Sequence, residues 1–118
     1  MEEKILQDVK KSIGINPDTE DSTFDDSIVI SINSAIAELA ELGVGEQGEF
    51  AVIRKDETWG EYLGEKYAYL LSFVKQYVCI YTQFIFDTPQ GGAKKAAMEE
   101  TQKRLEFRIV TSIEQHEE

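Results

Sequence analysis

The sequence predicts an all-α protein, a small bundle of four main helices and one short one around a central apolar helix at about 66–86. Three observations lead there. Apolar residues recur at three- and four-residue intervals in each long segment, the period of an amphipathic helix. Glycine or proline stands just past the end of most of these segments, where a helix has to stop. Strand-like signals are confined to two short places, "SIVISI" inside a longer helical run and "EFAVIR" at 49–54, which reads as a short extended or hairpin piece. The 118 residues fit a single domain, 1–118, large enough to bury a core without metal or disulfide staples.

The first helix spans 2–13. Ile5, Val9 and Ile13 recur every fourth residue with Leu6 beside them. Glu2 and Glu3 sit at the positive end of the helix dipole, Gly14 offers a left-handed stop, and Pro17 follows. The second helix spans 24–42, with Thr23 as cap and Asp26 as the carboxylate of a capping box. Ile28, Ile32, Ile36 and Leu39 form its stripe, flanked by Val29 and Ala35, and Gly43 ends it. A loop follows over 43–57, in which Phe50 and Ile53 are expected to pin the 49–54 piece to the core. Thr58 then caps a turn or two, with Glu61 as its capping-box partner, Trp59 and Leu63 pointing inward, and Gly64 as a kink.

The third long helix, 65–86, is apolar on nearly every side. Ser72, Lys75, Gln76, Thr82 and Gln83 trace a narrow polar stripe across Cys79. Such a helix needs neighbours over most of its surface, supplied by its own bundle or partly by another copy of the chain. Pro89 forbids its continuation, and Gly91 and Gly92 release the chain, so the last helix either folds back along this rod or swings. That last helix spans 93–115. Ala97, Thr101, Leu105, Ile109 and Ile113 repeat every fourth residue, and Glu99–Lys103 and Glu100–Arg104 are favourable (i, i+4) pairs. The terminal "EQHEE" places acid at the negative end of the dipole, so 114–118 is expected to fray.

The sequence predicts no catalytic residue, no cofactor and no metal. Gly43–Gly48 spells the dinucleotide fingerprint, but a helix precedes it and Glu46 would face the phosphates. The acidic run 18–29 lacks the glycine and glutamate that a calcium loop needs at its sixth and twelfth positions. The one cysteine, Cys79, lies in the apolar rod, and the one histidine, His116, lies in the tail, so neither zinc spacing nor a thiol–imidazole pair is available. The opening "MEEKILQDVKK" is not a signal peptide, and charged or polar residues break the apolar rod too often for a membrane span. The net charge of −11 opposes ordinary nucleic-acid binding.

Several stretches, read in order, carry a resemblance. "ILQDVKKSIGI" is followed by "STFDDSIVISINSAIAELAELGVG", "GEFAVI", "ETWGEYL", "SFVKQYVCIYTQFIFDTP" and "AAMEETQKRLEFRI". Over about residues 4–110 the chain resembles the small head–tail connector (adaptor) proteins of long-tailed bacteriophages and prophages of Gram-positive hosts. It departs from the expected pattern at Thr88, where a second proline is usual, and at Phe107, where tryptophan is usual.

The resemblance implies an all-α structural subunit that assembles into a ring of about a dozen copies beneath the portal. The ring extends the DNA channel and offers a seat for head-completion or tail proteins. Double-stranded DNA passes without specific binding, and no membrane is involved. The protein would act in the virion at the head–tail junction after assembly in the host cytoplasm. Leu105, Phe107, Arg108, Ile109 and Ile113 of the last helix, with Tyr69 and Tyr77, are then candidates for portal or ring contacts, the tyrosines having core packing as their alternative. Asp18, Glu20, Asp21 and Glu46 are candidate channel-lining acids that repel DNA phosphates, although solubility explains the same charge. The alternative role is a small helical interaction or regulatory module of phage origin.

Overall fold

The helical periodicity is realised in a computed structural model, which describes residues 3–15, 24–45, 50–86 and 91–117. The elements are α1 (Ile5–Ser12), α2 (Asp25–Glu41), the short α3 (Trp59–Leu63), a 3-10 turn (Ala68–Leu70), α4 (Leu71–Phe86) and α5 (Gly92–Glu117). Among the described residues there is no strand, and a lone bridge joins Lys4 to Thr58. The expected cap Thr23, the stop Pro17 and the breaker Pro89 lie outside the described residues.

α4 is the hub, packing against α1, α2 and α5. Val74, Tyr77, Val78 and Thr82 are its buried residues. Thr82 overturns the expectation of a polar stripe through that position. It lies one four-residue step beyond Val74 and Val78, so the helical period carries it into the core whatever its polarity. The rod is also shorter than 66–86. Gly64 sits at φ 60 and ψ −169, a conformation that side-chain-bearing residues rarely adopt, so α3 stops there. A turn and the 3-10 segment then intervene before α4 begins.

α1 and α3 are stitched together at their N-termini. The Ile5 N–H donates to the Glu57 carbonyl at 2.9 Å and the Trp59 N–H to the Glu3 carbonyl at 3.2 Å. Thr58 caps α3 as the sequence predicts, its hydroxyl oxygen accepting from the Glu61 N–H at 3.1 Å. Trp59 is fully buried, and its indole N–H donates to Asp8 Oδ2 at 2.9 Å. The Lys75 ammonium lies 3.1 Å from that same oxygen, so one carboxylate ties α1 to α3 and α4. Lys10 and Asp25, both buried, pair at 2.8 Å and tie α1 to the start of α2.

α2 keeps its predicted stripe: Ile28, Ile32, Ala35, Ile36 and Leu39 are all buried. The capping box expected of Thr23 and Asp26 rests on a residue outside the described ones. Asp26 itself is placed. It is exposed and pairs with Lys55 at 3.1 Å. Gly43, at φ 104, ends the helix as expected. Between α2 and α3, residues 50–54 form neither helix nor strand, and Val52 rather than Ile53 enters the core. The Asn33 side chain fixes this register by acting as a surrogate strand, donating to the Val52 carbonyl at 3.0 Å and accepting its N–H at 2.8 Å. With Val52 inward, its neighbour Ile53 turns outward, where it is 79% exposed. Phe50 does pack as predicted, stacked on Tyr62 with ring centroids 5.0 Å apart.

α5 is held by its middle. Leu105 and Ile109 are buried, and Gln102 donates to the Tyr77 carbonyl at 3.2 Å. Its first nine residues, 92–100, stand almost wholly in the open, Ala97 included, so the predicted stripe joins the core only later. Of the two expected side-chain pairs, Glu100–Arg104 closes at 2.7 Å. The helix continues to Glu117, and the His116 ring stacks on Tyr69 at 3.9 Å.

Candidate interaction surface

The predicted contact residues separate into two groups. Leu105 and Ile109 face the protein's own core, and Ile113 packs partly buried against it. Phe107 and Arg108 are exposed, Phe107 at 71%. This split follows from helix geometry, because residues two apart on a helix face nearly opposite directions. Tyr69 is partly open on one side and covered by His116 on the other.

Tyr77 leaves the candidate contacts for the core, the alternative that the sequence left open: it is 2% exposed. Its hydroxyl donates to Glu38 Oε2 at 2.9 Å. Burial and this carboxylate partner both push its pKa upward, so the phenol stays protonated and the bond to Glu38 persists. The hydroxyl gives a large aromatic ring a satisfied polar tip on the rim of the core, a position that apolar periodicity alone cannot distinguish from an exposed one. Asp18, Glu20, Asp21 and Glu46 lie outside the described residues.

Beside Tyr77 an open groove of ≈ 360 Å³ runs between α2, α4 and α5. Tyr81, Phe84 and Ile85 give it an apolar wall, and Glu38, Glu99 and Glu106 give it an acidic border. Such a shallow, wide trough suits a side chain or helix of another protein better than an enclosed small molecule.

Two further large apolar residues are exposed, Ile30, to which the sequence assigned no role, and Ile53, which it expected in the core. Ile30 is 68% exposed on the side of α2 opposite its buried stripe, among Asp26, Ala37 and Glu41. Ile53 stands out from the adjoining segment, between Val52, held at Asn33, and Lys55, held at Asp26. The signal for Ile30 is present in the sequence, since it falls off the 28–32–36 line by half a turn. That for Ile53 is not, because its orientation depends on Asn33.

The charge is unevenly spread. α5 holds five Lys or Arg and five Asp or Glu, so the whole net charge of −11 falls on the rest of the chain. On its outer side Phe107 stands among charges of both signs, Lys103, Arg104 and Arg108 with Glu100 and Glu114.

Cys79 is half-buried at the α1–α4 contact, where burial raises its pKa against the smaller opposing effect of the Ser12 hydroxyl, so it stays a thiol at neutral pH. Among the described residues no group of three or more His, Cys, Asp or Glu is placed to hold a metal ion. No described helix is long and apolar enough to cross a membrane. What the arrangement offers is surface: two exposed helix faces, a groove and a projecting helix.

Compared with known families, the sequence matches the model of the phage connector proteins over residues 5–116. No curated protein and no solved structure gives a match.

Proposed function

Because the chain belongs to the phage connector protein family, we propose that it is the head–tail connector (adaptor) of a long-tailed phage or prophage of a Gram-positive host. In this reading it forms a ring below the portal, prolongs the DNA channel and supplies the surface to which head-completion or tail proteins attach. The structural, virion-associated connector role and the interaction with other phage assembly proteins come with the family; the ring, the channel and the seat at the head–tail junction are the reading advanced here. The observation that carries it is the extent of the match, which takes in α1 to α4 and all but the last residue of α5. The exposed apolar residues and the projecting helix support it, since a structural adaptor works by contact.

The acids Asp18, Glu20, Asp21 and Glu46 are assigned to the channel wall in this reading. Packed phosphate backbone is repelled by carboxylates, so DNA crosses without adhering. Portal and ring contacts are assigned to Phe107, Arg108 and Tyr69.

Complementation tests the role. Infection with a phage lacking the gene should yield filled heads without tails, and the purified protein added to such an extract should restore tail joining. Tails that join heads in its absence would refute the assignment.

A further inference from the structure

Resting on the adaptor reading above, we infer that the trough between α2, α4 and α5 is the seat of a helix from another phage assembly protein, one that carries bulky apolar residues on the face it inserts and lysine or arginine on both flanks. The shape comes from the packing. α2 and α5 both pack on α4, and they meet where Ile113 Cδ1 comes within 3.4 Å of the point that a Cβ on Gly43 would occupy. Away from that end α4 is left as a floor between them. Its lining residues Tyr77, Tyr81, Phe84 and Ile85 stand three and four apart, so they share one helix face. Glu99, Gln102 and Glu106 repeat that spacing on α5. Tyr81 and Phe84 are half-buried and Ile85 is 55% exposed, so the floor is apolar surface that the bundle itself leaves unfilled. A floor of one helix between two others is the place that a further helix of a bundle takes.

Charge selects the partner. Asp8, Asp25, Asp26, Asp56 and Glu100 each hold a lysine or arginine of this chain. The carboxylates of the trough do not. Among the described residues no lysine or arginine lines it, and Glu38, Glu99 and Glu106 have no cationic partner. Lys103, four residues after Glu99, does not close the pair that its spacing allows. Glu38 accepts from the Tyr77 hydroxyl, a neutral donor that leaves the charge uncompensated. These carboxylates act on the floor itself. Burial, and after it Glu38 and Glu106, push the pKa of Tyr77 up, and burial followed by Glu38 does the same to Tyr81. Three uncompensated negative charges around an apolar floor attract an apolar helix flanked by cations. They repel an acidic one, a second copy of this chain at −11 included.

A photoreactive p-benzoylphenylalanine in place of Ile85 tests the seat in the tail-joining extract. Irradiated after joining, it should link to one segment of another phage protein. Sequencing of the linked peptide should show a bulky apolar residue with lysine or arginine within about four positions on either side, the reach of one helical turn. Glu99→Lys combined with Glu106→Lys should cut the yield of the link more than about tenfold, as like charge set against like does. Glu99→Gln combined with Glu106→Gln removes the charge without reversing it and should cut the yield less. Glu99 is exposed and Glu106 half-buried at the rim, so the circular dichroism of both pairs should match the wild type. No link from position 85, a link to a sister copy, a linked peptide without cations, or a yield indifferent to the charge at 99 and 106 would each overturn the inference. Tails that join normally without any link leave the adaptor role standing and remove the trough from it. Tails that join in the absence of the protein refute the adaptor role, and the partner assigned to the trough falls with it.

Discussion

Val78 is fully buried on α4, on the line that also holds Val74 and Thr82, so a charge there has no route to water. Val78→Asp should unfold the protein, since an unpaired buried carboxylate costs several kcal/mol, comparable with the whole stability of a domain this size. Ile85→Asp, on the same helix but exposed, should leave the thermal midpoint nearly unchanged. Equal losses in the two variants, followed by circular dichroism, would contradict the assigned core. Glu57 shows a subtler balance. Burial pushes its carboxyl pKa up, but the Arg54 and Ile53 N–H groups, donating at 3.0 and 2.7 Å, outweigh it and leave the value below the ordinary 4.5. A depressed folded-state pKa contributes stability that is present above the unfolded value and is lost as pH falls through the folded one. The urea midpoint of wild type should therefore fall more steeply than that of Glu57→Gln as pH drops below 4.5, and parallel curves would refute the role. Thr82 and Ile53 are the residues that sequence reading misplaced, for different reasons. The helical period through Val74 and Val78 carries Thr82 inward whatever its polarity, whereas Ile53 is turned outward by the pairing of Asn33 with its neighbour Val52.

At the scale of elements, periodicity located all the long helices because each has one face that must leave water. Their ends were legible where a glycine does the stopping. Gly64 is the clearest case: a side chain there would meet no neighbour within 4 Å, so only the backbone conformation resists substitution. Gly64→Ala should cost about 1–3 kcal/mol of unfolding free energy in urea denaturation, and a neutral result would mean the turn relaxes freely. The 3-10 segment before α4 was not legible, since three residues carry too little pattern to distinguish it from the helix that follows. α5 divides into two parts. Its open first third, 92–100, should exchange amide hydrogens quickly, whereas 105–113, anchored by Leu105 and Ile109, should exchange slowly. The fraying expected of 114–118 competes with the His116–Tyr69 stack, and the same experiment reads it out. Uniform protection along α5 would contradict the division. A swing of the whole helix on portal binding would have to release Leu105 and Ile109, each contributing about 1.5–3 kcal/mol by burial, so protection of 105–113 that is equal in free and portal-bound protein would exclude it.

The whole molecule is a small acidic bundle, and what it exposes decides what it can join. Its core was largely readable from apolar spacing, whereas its working surface was not. Ile30 and Ile53 became visible only once α2 had a buried side and Val52 a register, and the grouping of charges around Phe107 acquires a direction only when Leu105 and Ile109 are seen to face inward. One measurement tests the proposed function most directly: electron microscopy of the purified chain bound to its portal. A continuous ring of copies capping the portal is the expected result; single copies scattered on the portal would contradict it.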